Sequence, residues 1–312
     1  TALVLVHTLD LARQWRSRLA EQAGLDAGLV ADGTDARDTP VVVATVQSLA
    51  RWPWKDLYRW GRGFGLVVLD EAHHAPAETF CAVLGGLAAR LRLGLTATPD
   101  RDDGLGPIVD WCFGPRLATV GLGDLAREGA VVLPELRVVR TGWSPQDEGA
   151  SWAAVVAEQT NDPDRNATIL REIEGLVREG RVVLVLSERV AHCRRLAAAL
   201  TDRGCEAVPL VGALTARRRE DLLDRVRRGA LRVLVGTTVA DEGLDLPTLD
   251  AVVLATGTRA LSRVQQRIGR AMRPAPGKGR PVVVDLVDAW GPLLGQAARR
   301  RVLYRSMGMV GA

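Results

Sequence analysis

Lysine, cysteine and long apolar runs are scarce in this chain of 312 residues. The four cysteines are scattered without any C-x-x-C spacing, which argues against a zinc site and against a disulfide framework. No apolar run approaches the ~20 residues of a membrane span, and no signal-peptide pattern opens the chain. We therefore expect a cytoplasmic protein that does not bind a membrane.

The basic residues are almost all arginines, because Lys55 and Lys278 are the only lysines among 41 basic residues. Arginine makes planar bidentate contacts to phosphate, but a genome-wide codon bias explains the imbalance at least as well. The net charge of +4 is a weak indication of a nucleic-acid partner. Residues 51–63 interleave cations with three tryptophans, which could stack on bases or pack a short helix against a sheet.

Four apolar residues, 66–69, are followed directly by Asp70 and Glu71. An uninterrupted apolar run is typical of a buried parallel strand, and its carboxyl end would deliver both acids into a crevice. This is the Walker B arrangement, in which Asp70 would hold Mg²⁺ and Glu71 would orient and deprotonate a water molecule. The alternative is a solvated acidic turn after a strand. A helix is predicted after this stretch, at about 77–91.

Other strands of the first half end in hydroxyl groups. Residues 2–6 form an apolar run that ends near Thr8. The next residues have the spacing of a helix, with Leu11, Trp15 and Leu19 on one face. Residues 41–44 form a further strand that ends at Thr45, and Gln47 lies in the helix that follows. Hydroxyls at helix N-termini are suited to phosphate oxygens.

The alternation of strands and helices resumes at residue 166, after a stretch rich in glycine and proline. Apolar strands are predicted at 182–186 and 231–235. We predict two α/β domains with mostly parallel sheets, one of residues 1–133, which includes the transitional segment, and one of residues 134–312.

Several motifs together resemble the superfamily 2 helicases and translocases. Asp70-Glu71-Ala72-His73 is followed about twenty residues later by Thr96-Ala97-Thr98-Pro99, a combination more specific than either motif alone. Residues 236–247 resemble helicase motif V, and residues 266–273 match the Q-x-x-G-R-x-x-R pattern of motif VI. The resemblance implies two RecA-like domains, with ATP hydrolysed in the cleft between them with Mg²⁺ as cofactor.

The resemblance also implies roles for individual residues. It places Thr8, Thr45, Gln47, Gly212 and Thr237 on nucleic acid, and Asp70, His73, Gly243, Asp245, Arg270 and Arg273 on the nucleotide. Glu71, Asp70, Gln266, Arg270 and Arg273 would be catalytic, and Thr96 and Thr98 would couple the two activities. Asp70 and Glu71 would be the residues at the Mg²⁺. Arg270 and Arg273, three apart on one helical face, would be the arginine fingers.

The motif forms resemble XPB-like and restriction-motor-like DNA helicases more than DEAD-box RNA helicases. Leu9 stands where the RNA group has its RNA-contacting arginine, which favours DNA. A restriction-type translocase that moves duplex DNA without strand separation is one alternative. A nucleic-acid clamp without catalytic activity is another, and protein partners are not predicted.

No G-x-x-x-x-G-K-[ST] phosphate loop occurs, since Gly277-Lys278 is the only Gly-Lys pair and lacks the other residues. The family carries this loop just before the strand of residues 2–6, so truncation is the simplest explanation. The first domain would then lack its first strand, which would leave an unpaired position beside the acidic strand. We expect this chain alone not to hydrolyse ATP.

Overall fold

The structure, a computed structural model, describes residues 1–97, 104–211, 216–237, 246, 248–257, 261–275 and 277–309. The chain divides into two compact units, Thr1–Thr119 and Val120–Ala312. Each unit has a six-stranded sheet within the described residues. No helix of these residues is long and apolar enough to cross a membrane.

Unit 1 alternates strands and helices. Its strands are β1 (Ala2–Val6), β2 (Gly28–Ala31), β3 (Thr34–Ala36), β4 (Val41–Thr45), β5 (Leu66–Asp70) and β6 (Leu91–Leu95). Its helices are α1 (Leu9–Ala23), α2 (Val46–Leu49), α3 (Trp54–Gly61), α4 (Glu78–Gly86) and α5 (Gly106–Phe113). The strand order is β3-β2-β4-β1-β5-β6, and all neighbours are parallel except β2 and β3.

Strand β5 is paired on both sides, with β1 and with β6. The prediction of an unpaired position beside the acidic strand is therefore wrong, because residues 91–95 form β6 and pair with β5 there. The edge lies one strand further out, at β6, where Leu91, Leu93 and Leu95 are exposed. Central β1 is a continuous apolar run because apolar clusters cover both faces of the sheet.

Unit 2 has the same kind of architecture. It contains α6 (Leu122–Arg127), β7 (Glu135–Arg140), α7 (Trp152–Asn161), α8 (Pro163–Arg178), β8 (Val183–Leu186), α9 (Val190–Asp202), β9 (Ala207–Leu210), α10 (Ala216–Arg227), β10 (Val233–Gly236), β11 (Ala251–Leu254), α11 (Leu261–Ala271), β12 (Val282–Val287) and α12 (Gly291–Ser306). All neighbours in the order β7-β12-β11-β8-β10-β9 are parallel. The predicted α/β class with two mostly parallel sheets is confirmed.

Residues 120–133 pack with unit 2, whereas the sequence prediction assigned them to the first domain. The backbone N–H of Val132 donates to the Met272 carbonyl at 2.8 Å. Val131 and Leu133 pack against the core of unit 2. Burial of these apolar side chains places the division of the chain at 119/120 rather than at 133/134.

A buried ion pair ties together three strand ends of unit 2. The Arg165 side chain on α8 donates to Asp288, just after β12, with Nε at 2.8 Å from Oδ1. It also donates to the Ala255 carbonyl after β11, at 2.6 Å. Thr141, after β7, and Gln159 donate to the same carboxylate. Asp288 therefore accepts from three side chains in an interior where an unpaired charge would be costly.

His192 on α9 belongs to a second buried cluster of polar side chains. Its Nε2 is 2.9 Å from Asn166 Oδ1, and its Nδ1 is 2.8 Å from Ser187 Oγ. Because an amide oxygen only accepts, Nε2 carries the proton and Nδ1 accepts from the hydroxyl in the neutral ring. Burial, together with the charges of Arg165 and Arg195, lowers the pKa of His192 to about 3.

We expect acid to destabilise the protein through His192. The unfolded histidine takes up a proton below its ordinary pKa of 6.5, whereas the folded one does not until about pH 3. The free energy of unfolding is therefore largest above pH 6.5 and falls by ~1.4 kcal/mol per pH unit below it, or about 2 kcal/mol at pH 5. Urea unfolding at pH 7 and pH 5 should show this extra loss in the wild type and not in His192→Gln. Equal losses would show that His192 does not contribute.

Candidate active site

The candidate site lies at one edge of the unit 1 sheet. Val6 is paired with Thr45, and Asp70 with Leu95, so β4, β1, β5 and β6 end in one row. The last residues of these strands and the residues that follow them are therefore neighbours at the carboxyl edge. This is the edge at which open parallel sheets bind ligands.

Asp70 is held by two hydrogen bonds. Its Oδ1 accepts from the backbone N–H of Glu71 at 2.9 Å, and its Oδ2 accepts from Trp15 Nε1 at 2.8 Å. The sequence predicted Trp15 only as part of an apolar helix face and missed this contact. The two residues are 55 positions apart, and the only signal was the polar N–H that every buried tryptophan must pair.

Glu71 adopts the left-handed backbone conformation, with φ 53° and ψ 53°. This conformation costs a residue with a side chain roughly 1–2 kcal/mol, and such strain concentrates at functional sites. Burial acts to raise the pKa of Glu71, but the hydrogen bond to His73 and the nearby rings of His73, His7 and His74 hold it below its ordinary value. The carboxylate is therefore ionised at neutral pH and able to accept a proton.

His73 connects the acidic turn to the end of β6. Its Nδ1 lies 3.3 Å from Glu71 Oε2 and 3.0 Å from Thr96 Oγ1. The structure thus brings together three of the predicted residues, Glu71 and His73 from the acidic motif and Thr96 from the second motif of unit 1. Thr98, the other predicted coupling residue, lies outside the described residues.

Asp70 and Glu71 were predicted to hold Mg²⁺. Among the described residues, no group of three or more His, Cys, Asp or Glu side chains could hold a metal ion. Mg²⁺ needs no such group, because it is commonly bound by one or two carboxylates together with waters and phosphate oxygens. Each Asp70 oxygen keeps a second lone-pair direction beside its hydrogen bond, so this carboxylate fits the ion.

The residues of unit 1 that were predicted to contact nucleic acid differ in the exposure of their side chains. Thr8 caps α1, because its hydroxyl accepts from the Leu11 N–H at 3.3 Å. Thr45 is only 6% exposed, and its hydroxyl donates to Ser48 Oγ at 2.8 Å. Gln47, in α2, is exposed. Of these residues, Gln47 has the most accessible side chain for a passing phosphate.

The structure describes only some of the predicted site residues of unit 2. Thr237 follows β10 and is buried, whereas Gly212, Gly243 and Asp245 lie outside the described residues. Gln266 and Arg270 are both half-buried and lie one helical turn apart on α11.

Arg273 does not share a helical face with Arg270, contrary to the prediction. The helix ends at Ala271, and the carbonyl of Arg273 accepts from Lys278 Nζ at 2.7 Å. Two residues beyond a helix end, the spacing of three no longer determines the direction of a side chain. The catalytic roles of Gln266, Arg270 and Arg273 stay predictions.

Two family models match this chain. The model described as "Helicase conserved C-terminal domain" matches residues 164–275, and the model described as "Type III restriction enzyme, res subunit" matches residues 1–101. The first match lies within unit 2 and the second within unit 1.

Curated relatives and a solved structure agree with these matches. The chain is 27% identical to "Probable helicase D10" of Escherichia phage T5, over 98% of this chain and 66% of that protein. It is 33% identical to "Putative DNA 3'-5' helicase Rad25" of Halobacterium salinarum, over 87% of this chain and 45% of that protein. "S. cerevisiae Dbp5 bound to RNA and ADP BeF3" has a similar fold, with 18% identity, a TM-score of 0.66 and coverage of 99% of this chain and 76% of that one. The chain thus spans about half to two thirds of the length of these curated relatives.

Proposed function

We propose that this chain, which carries a superfamily 2 helicase core, acts in the ATP-driven movement of a helicase or translocase along DNA. The observation that supports the proposal most strongly is the cluster of Asp70, Glu71, His73 and Thr96 at the edge of the unit 1 sheet. An ionised carboxylate on a strained turn, beside an acid suited to Mg²⁺, is the arrangement that phosphoryl transfer to water requires.

Each residue of the cluster has a proposed task. Asp70, oriented by Trp15, holds Mg²⁺, which when bound neutralises charge on the phosphates of ATP. Glu71 orients the attacking water and takes its proton onto a carboxylate oxygen. The Nδ1 atom of His73 lies close to both that carboxylate and the Thr96 hydroxyl, so a change at Glu71 reaches the end of β6.

DNA is the proposed track. The relative from Halobacterium salinarum is named a putative DNA 3'-5' helicase, and the basic net charge of this chain suits a polyanion. A match to a restriction-enzyme subunit supports the alternative of a translocase that moves duplex DNA without separating its strands. A strand-displacement assay on a form of the protein that includes a phosphate loop separates the two, because only a helicase releases the second strand while consuming ATP.

The DNA-binding half of the proposal is testable with this chain directly. Single-stranded DNA should bind with an affinity that falls steeply with salt and depends little on sequence, because phosphates make most of the contact. Gln47→Ala should weaken binding about fivefold, the equivalent of one hydrogen bond of ~1 kcal/mol. Fluorescence anisotropy with labelled oligonucleotides measures both effects.

The matched control for Gln47 is Gln22→Ala, which removes another exposed glutamine, from the far end of α1. It should bind DNA as the wild type does. Binding that is independent of salt, or that requires one particular sequence, would contradict a motor that moves along any strand.

A further inference from the structure

Residues 51–64 differ in composition from the rest of the chain. Five of the thirteen aromatic residues lie at positions 52–64, and four basic residues stand against one acid between 51 and 62. This short stretch therefore carries three of the chain's four net positive charges. Aromatic rings interleaved with cations are the surface that unpaired nucleic acid binds.

The structure folds this stretch into a pocket of about 670 Å³ beside the β2–β3 hairpin. The pocket is lined from the α3 side by Trp52, Pro53, Asp56, Arg59 and Trp60, and from the hairpin by Asp35 and Arg37. Its volume lies within the ~300–1,000 Å³ typical of small-ligand sites. We call it the aromatic pocket.

The inner rings of the aromatic pocket are fixed in place. Trp52 and Trp60 lie 5.0 Å apart, and both pack against the apolar core of unit 1. The Arg37 guanidinium lies over the Trp52 ring, 4.7 Å from its centroid, and pairs with Asp35. These side chains form a rigid floor with a cation already stacked on it.

The outer rings are not needed by the core. Trp54 and Tyr58 are 58% and 39% exposed, and they lie one helical turn apart on α3. Their rings are stacked, 5.1 Å apart at an angle of 10°. Two large apolar rings held parallel in water present a flat face on which a third ring can stack.

Helix α2 joins the pocket to the candidate active-site edge. The helix begins after Thr45, carries Gln47, and spans only ~6 Å. The Trp52 backbone N–H donates to the Leu49 carbonyl at 3.0 Å, so the chain turns directly from the helix into the pocket. A strand whose phosphate touches Gln47 would have its next nucleotides beside Trp52.

We propose that the aromatic pocket and the Trp54–Tyr58 pair bind unpaired bases of single-stranded nucleic acid. One base stacks on the exposed pair and a neighbour enters the pocket, while Arg51, Lys55 and Arg59 face the phosphates between them. This inference rests on the proposed function, because it extends the same nucleic-acid track. The two acids of the pocket lining are balanced by two arginines, and the excess of positive charge in residues 51–62 favours a polyanion over a neutral peptide as the occupant.

The test compares two probes of about 12 nucleotides, an oligothymidylate and an abasic strand with the same backbone, bound to the full 312-residue chain. The wild type should bind the oligothymidylate at least tenfold more tightly, because only that strand has bases to stack. The double variant Trp54→Ala with Tyr58→Ala should lose most of this preference, because only the base in the aromatic pocket can still stack. Its salt dependence should match the wild type, because stacking releases no counterions, whereas Lys55→Gln should reduce the salt slope by about one.

Trp111→Ala is the matched control, since Trp111 is 82% exposed in the same unit and lies outside the pocket. It should keep the full preference for the strand with bases. Equal binding of both strands by the wild type would overturn the base site and leave DNA binding by phosphate contacts intact. Failure to bind either strand would overturn the proposed function as well, and an equal loss in Trp111→Ala would show that any exposed tryptophan produces the effect.

Discussion

Glu71→Gln is expected to reduce DNA-stimulated ATP hydrolysis by about 10²–10⁴-fold, the range typical of a lost general base, while ATP binding stays nearly unchanged. The amide has the size of the carboxylate but cannot take a proton from water. The measurement requires a form of the protein that includes a phosphate loop, because no G-x-x-x-x-G-K-[ST] occurs in these 312 residues. Turnover and equilibrium binding of ATP should be measured on the same preparation.

The control for this variant is Glu78→Gln, which neutralises an exposed acid in the first turn of α4, seven residues further along the chain. Its turnover should equal that of the wild type. A loss of less than tenfold in Glu71→Gln would show that Glu71 is not the base. A parallel loss of ATP affinity would assign the residue to binding instead.

Asp288→Ala is expected to lower the free energy of unfolding by about 3–5 kcal/mol, because it leaves the buried Arg165 guanidinium without its counter-charge. The same change removes the acceptor of Gln159 and Thr141. Three strand ends of unit 2 would lose their connection together. Urea unfolding monitored by circular dichroism gives the size of the loss.

Two further variants test whether the loss of stability comes from the unpaired buried charge or from the loss of any ion pair. Asp224→Ala breaks a pair of similar length with Arg227, 2.8 Å, but on the surface of α10, so it should cost no more than about 1 kcal/mol. Replacing both buried charges, in Arg165→Met with Asp288→Leu, should recover at least half of the loss. If Asp288→Ala is as mild as the surface variant, the ion pair does not stabilise the fold.

Much of the fold could be predicted from the sequence because buried parallel strands are uninterrupted apolar runs. β1, β4 and β5 begin and end within a residue or two of the predicted runs, and α1 has the predicted helical face. The helix predicted at about 77–91 is shorter, Glu78–Gly86, since Leu91 already belongs to β6. Leucine and arginine suit both structures, so their local pattern could not separate this helix end from a strand start.

Only those parts of the candidate site that lie together in a continuous motif could be predicted from the sequence. Asp70, Glu71 and His73 lie within four residues, so their proximity follows from one turn. The Trp15 contact to Asp70 and the Arg37 contact to Trp52 cross from one element to another. Neither partner has a local pattern that identifies the other.

The sequence by itself determined the α/β class, the acidic turn after a buried strand and the motif set of a superfamily 2 helicase, because each depends on residues close together in the chain. Only the tertiary structure decided that β6 rather than β5 forms the sheet edge, that residues 120–133 belong to unit 2, and that Arg165 pairs with Asp288. These features depend on strand order and on contacts between residues far apart in the chain, such as Arg165 and Asp288, which are 123 positions apart. Hydrophobic periodicity reports which face of an element is buried but not which element covers it, and that choice is made by packing.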